Sequence, residues 1–224
     1  METTDDSLTS FEVLGKRYSL PFSQAGGKTK EHILIEATVL FALSGYAAVS
    51  MRDIALKVAI TPAALYNHFA SKEDLWNAVL EHSVRLYYLY HDNLEEPLQR
   101  AKTFREVIDI LFAEPRLMRN MFTCYCFGLI MKEQFRDPKA GGFYAEVLLG
   151  YGESFVRKHL DKCVESKMVK PFDTGTAAKI FVHFVMSSIN LKVHESIHPG
   201  TKFDITESFD RLKEFILKSV EATA

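Results

Sequence analysis

Between residues 50 and 74 the chain spells out three helix starts in quick succession, and few folds need so many so close together. Ser50 precedes Met51-Arg52-Asp53, a capping box with Asp in place of Glu. Thr61 precedes Pro62, a capping side chain followed by proline at the first helical position. Ser71 precedes Lys72-Glu73-Asp74, a second box. Helices are therefore expected over 51–58, over 62–69 and from 72 onward, with only a tight turn between the first two.

A helix ahead of them, expected over 29–44 and stopped by Gly45, carries Ile33, Leu34, Ala37, Leu40 and Phe41 on one face. Ile35 and Val39 fall on the opposite face, either exposed or covered by the N-terminal segment, and exposure is the expectation. Two short helices braced by a longer one form the skeleton of a helix-turn-helix. The motif needs a small residue where the short helices cross, and Ala55 supplies it. It needs apolar anchors, and Ile54, Val58, Leu65 and Phe69 supply those. The other face of 62–69 then shows Ala63, Ala64, Tyr66 and Asn67. Small residues let a backbone approach base edges, and Asn67 can make a bidentate contact to adenine. Tyr66 and His68 can donate to phosphates, while Thr61 and Ser50 stand at helix N-termini that favour an anion. Arg52 and Lys72 add positive charge that positions without specifying sequence. Capped short helices are also ordinary bundle architecture, so the pattern alone leaves both readings open.

The run LYNHFASKEDL narrows them. Together with Ile33-Leu34, Ala37, Phe41, Gly45-Tyr46, Ser50-Met51-Arg52-Asp53-Ile54-Ala55 and Thr61-Pro62-Ala63-Ala64, it makes the segment from Ile33 to Val79 resemble the DNA-binding domain of the TetR (tetracycline repressor) family. By position, the resemblance implies that Thr61, Ala63, Ala64, Tyr66, Asn67 and His68 line the DNA surface, flanked by Ser50, Arg52 and Lys72. It also implies a homodimer on a near-palindromic double-stranded operator, and a C-terminal domain whose small-molecule ligand relieves repression. One departure stands out: Ala59 occupies the turn where the family has glycine, and an alanine at positive φ costs on the order of 1 kcal/mol.

From residue 28 the chain reads as helical throughout, with no alternating run long enough for a sheet, so the class is all-α. The expected division is an N-terminal extension over 1–27, a helix-turn-helix domain over 28–75 and a helical ligand-binding and dimerisation domain over 76–224. Further helices are expected near 75–89, 104–112, 115–132, 143–167, 174–194 and 205–222, with the prolines at 97, 115, 138, 171 and 199 near boundaries. The 174–194 helix reads as apolar nearly all the way round, and with 143–167 it is expected to build a dimer interface. Tyr87, Met118, Phe122, Tyr125 and His183 are the candidate lining of a pocket for a hydrophobic or aromatic effector. Such stripes are more often plain core, and His183 fits a hydrogen-bonded core histidine.

Net charge is -2, which counts mildly against nucleic-acid binding for the molecule as a whole. Cys124, Cys126 and Cys163 match no zinc spacing, and with the acidic, polar opening METTDDSLTS they fit a cytoplasmic chain without a signal peptide. No run approaches the roughly 18 apolar residues of a membrane span, and no cofactor is implied. No nucleophile–base–orienter set stands at a recognisable spacing, so no enzyme is expected. His194 and His198 are four apart, but Pro199 is expected to end the helix before they share a face. The alternatives kept open are an activator of the same fold and a helical interaction protein without DNA binding.

Overall fold

The computed structural model describes residues 10–13, 16–19, 28–113 and 121–221. Its helices are α1 Lys28–Ser44, α2 Met51–Lys57, α3 Pro62–Tyr66, α4 Lys72–Arg100, α5 Phe104–Leu111, α6 Met121–Glu133, α7 Pro138–Gly142, a π-helical stretch Phe143–Tyr151, α8 Gly152–Glu165, α9 Thr174–Ile197 and α10 Ile205–Glu221. The all-α class holds. The exception among the described residues is a small antiparallel hairpin in the N-terminal segment, where β1 Ser10–Val13 pairs with β2 Lys16–Ser19 and Phe11 faces Tyr18 in register. Strands this short fall below the length at which alternation is recognisable.

The chain forms two compact units, residues 1–87 with 120–144, and residues 88–119 with 145–224. The first unit is thus larger than the expected 28–75 domain. It keeps the first half of α4 and gains α6 and α7. In it α1 packs against α2 and also against α6, which leaves α1 no wholly exposed face. Ile35, expected to be exposed, is 5% accessible for that reason. Two bonds tie the end of α6 to the end of α1: Lys132 Nζ donates to the Ala42 carbonyl at 3.2 Å, and the Tyr46 N–H donates to Glu133 Oε1 at 3.3 Å. Gly45 makes that junction possible, because its φ of +88° turns the chain out of α1 where a side chain would be strained.

In the second unit α9 packs on α8, and α5 touches both α8 and α10. Phe112, Phe181, Phe184 and Phe209 interleave there, with ring centroids 4.8–6.2 Å apart. Glu95 joins α4 to α8 by accepting from Lys158 Nζ at 2.6 Å and lying 3.2 Å from His159 Nε2. The lysine bond holds the Glu95 carboxyl down at about 2.

Several expected boundaries shift. Pro97 lies inside α4, which ends three residues later at Arg100. The single helix expected over 143–167 divides into the π-helical stretch and α8. α9 runs on to Ile197, and the His194 and His198 rings lie 4.3 Å apart, so they do share a face. Nor is α9 apolar all round: Lys179, His183, Ser187 and Asn190 line an exposed stripe beside Ile180.

Candidate nucleic-acid interface

The site is built on two caps and one turn. At the start of α2 the Ser50 hydroxyl accepts from the Asp53 N–H at 3.2 Å, while Asp53 Oδ2 takes the Ser50 N–H at 2.7 Å and its hydroxyl at 2.6 Å. These bonds, the side-chain one first, hold the Asp53 carboxyl below the usual aspartate range. They also use the Ser50 amide and hydroxyl hydrogens. In this geometry Ser50 braces the start of α2.

α2 ends in a Schellman turn. Ile60 N–H reaches the Ala55 carbonyl at 3.0 Å, Ala59 N–H reaches Leu56 at 3.1 Å, and Ala59 sits at φ +59°. The alanine that departs from the family pattern thus adopts the strained conformation expected of it. Thr61 caps α3 by accepting from the Ala64 N–H at 3.1 Å. α3 itself is five residues long rather than eight, because Asn67 is already its C-cap. The chain stays coiled beyond it, with the His68 and Phe69 amides both donating to the Leu65 carbonyl.

This turn sorts the side chains. Leu65 is 0% and Phe69 2% accessible, against α3's outward face, where Tyr66 is 50% accessible. Ala63 and Asn67 are exposed, and Ala64 and His68 half-buried. Burying Leu65 and Phe69 stabilises the unit by about 1.5–3 kcal/mol each. That anchoring fixes which way Tyr66 and Asn67 face. Arg52 is exposed on α2. The Lys72 ammonium lies 4.2 Å from the centre of the Tyr46 ring, and burial lowers its pKa against the opposing pull of Asp53. Lys30, in the first turn of α1, stands 5.1 Å from the Phe69 ring centre. Sequence reasoning missed both Tyr46 and Lys30 as neighbours of the site. Lys30 was legible in principle, since it precedes Ile33 by three positions and shares its face.

All nine residues expected at the DNA surface fall between 50 and 72 in the first unit. Of the expected pocket lining, Tyr87, Phe122 and Tyr125 fall in the first unit and His183 in the second. Tyr87 and Phe122 are buried in the core of the first unit, where Tyr87 meets Phe127 at 5.4 Å and Phe122 meets His82 at 6.1 Å. Tyr125 is half-buried on the same helix as Phe122. Met118 lies outside the described residues. His183 belongs to the second unit and is not a core histidine: its side chain is 57% accessible, with Nδ1 2.9 Å from the Lys179 carbonyl. The second unit has an open cleft of about 750 Å³, bordered by Phe104, Lys167, Met168 and Leu217.

The family profile described as "Bacterial regulatory proteins, tetR family" matches residues 33–79, the span from α1 through the first turns of α4. The HTH-type transcriptional regulator UidR of Escherichia coli K12 is 40% identical over 162 residues, which is 69% of this chain and 76% of UidR. The chain belongs to the TetR family. The HTH-type transcriptional repressor Rv3405c of Mycobacterium tuberculosis is also 40% identical, but over 74 residues, so the chain aligns with only 39% of that relative's length. Among solved structures, Salmonella enterica GusR superposes with a TM-score of 0.61 at 19% identity, over 88% of this chain and 98% of GusR. A transcriptional regulator from Saccharomonospora viridis in complex with choline gives 0.64 at 20% identity, over 84% and 95%. These two likenesses carry the fold well beyond the profile match.

Proposed function

We propose that this TetR-family regulator binds a near-palindromic double-stranded operator as a homodimer, with the α3 turn of each protomer in a major groove. The observation that carries the reading is the outward face of 61–68, held there by fully buried Leu65 and Phe69. Ala63 and Ala64 leave room for the groove floor. Asn67 reads a base edge, and Thr61, Tyr66 and His68 reach bases or phosphates. Arg52 and Lys72 meet the backbone on either side, and Ser50 supports them through the α2 cap. The dimer reading draws on α9, where Ala177, Ile180 and Leu191 recur at helical spacing and none is buried in the single chain. The mycobacterial relative is a repressor, which supports repression as the sign of regulation. We assign a small hydrophobic or aromatic effector to the second unit, place the protein in the cytoplasm and assign it no reaction.

Successive grooves on one face lie roughly 34 Å apart. An effector that alters the spacing of the two heads by a few ångströms misaligns one of them. Selection of bound duplexes from a random DNA pool tests the proposal. Two inverted half-sites about one helical turn apart are the expected product, and recovery of unrelated sequences would leave only a helical interaction protein.

A further inference from the structure

Tyr46 lies outside the DNA-facing set, yet its ring is where the Lys72 ammonium rests, 4.2 Å from the centroid. That ring is fixed by its surroundings. The Tyr46 backbone N–H donates at 3.3 Å to Glu133 Oε1, an oxygen of a buried carboxylate on α6. The ring face tilts against Trp76 at 4.8 Å and Phe41 at 5.5 Å. Trp76 is in turn pinned by a 2.8 Å bond from its indole N–H to Asp137 Oδ2, the cap of α7. Lys72, by contrast, is the first residue of α4, where the positive end of the helix dipole repels an ammonium. A lysine stem with four rotatable bonds does not hold one position in such a place unaided.

We infer that Tyr46 is a positioning residue: its ring holds the Lys72 ammonium in place for a DNA phosphate, through the electron-rich face rather than through the hydroxyl. This rests on the reading above that Lys72 contacts the DNA backbone. An ammonium has three donors, so lying over the ring leaves others for a phosphate oxygen. A side chain already held in its bound place loses less rotamer freedom on association. Glu133 of α6 holds the Tyr46 backbone and Asp137 at the start of α7 holds Trp76 beside its ring, so the α6–α7 junction bears on where the ammonium lies.

The test uses the full chain and a random-sequence duplex, with affinity measured over a range of salt. Lys72→Gln is expected to lower the slope of log K against log salt by about 1. Tyr46→Leu is expected to weaken binding roughly 2- to 10-fold in the presence of Lys72. It should change nothing in the Lys72→Gln background. Tyr46→Phe should bind like the parent. Should Tyr46→Leu fail to fold, trifluorinated phenylalanine at 46 keeps the shape while emptying the ring face, and the same loss is expected. In the free protein, the Lys72 Hε protons should be shifted upfield by the ring and lose that shift in Tyr46→Leu. If Lys72→Gln leaves the slope unaltered, the phosphate role of Lys72 fails and the inference goes with it. If Lys72→Gln acts but Tyr46→Leu costs the same in both backgrounds, Tyr46 is merely part of the core and the inference alone is overturned.

Discussion

Asn67 and Lys72 are both polar, both near α3 and both proposed to meet DNA, and the proposal gives them different work. Asn67 caps the end of α3 on an exposed face, where a planar amide can pair with one base edge. Lys72 starts the following helix and offers a charge that any phosphate satisfies. Asn67→Ala is therefore expected to reduce the ratio of operator to random-sequence affinity, by about 1–3 kcal/mol, more than it reduces random-sequence affinity. Competition titrations with both duplexes check this, and an equal loss on each would reverse the assignment. A second residue-scale effect concerns His82, whose pKa is pushed down to about 4 by burial, with the Arg85 charge adding to it. Between that value and the ordinary 6.5 the unfolded chain holds a proton that the folded chain does not. Stability is thus fully present above pH 6.5 and is lost as pH falls towards 4, by on the order of 3 kcal/mol from this group. Urea unfolding at pH 7.5, 6 and 5 should show the decline, and His82→Gln should flatten it.

At the scale of elements, the turn between α2 and α3 decides the geometry of the site. Ala59 holds it at φ +59°, where a Cβ costs roughly 1–2 kcal/mol. Glycine there relieves that strain but loses about 0.4–1 kcal/mol through its freer unfolded chain. The strain term is the larger, so Ala59→Gly is expected to stabilise the protein by about 0.5–1 kcal/mol, read as a rise in Tm without loss of DNA affinity. Caps were the most legible feature in the sequence: Ser50, Thr61 and Asp53 bond as their spacing required. Helix ends were less so. The five-residue α3, Pro97 inside α4 and the π-helical stretch all depend on how a turn packs after it forms, and local propensity does not record that.

For the whole molecule, the proposed dimer rests on α9, and α9 is where it can be broken. Ile180 is 52% accessible in the single chain, in line with Ala177 and Leu191. A charge at the middle of an apolar interface is left without a partner. Ile180→Glu should shift the protein towards monomer in sedimentation velocity and weaken operator binding with it, while the far-ultraviolet spectrum stays helical. A dimer unaffected by the change would place the interface elsewhere.

The reading head was legible in advance because it is local: caps, a turn and two anchors within some two dozen residues are set by short-range chemistry that spacing displays directly. The aromatic stripe proposed as a pocket was not, because Tyr87 and Phe122 look alike in sequence whether they line a cavity or fill a core. The structure buries both, with Phe127 and His82 packed beside them. The second face of α1 and the platform under Lys72 have the same origin. Each depends on residues from α6 and α7, some sixty to ninety positions away, and contacts at that separation are chosen by the chain's closure into a core rather than by any periodicity along it.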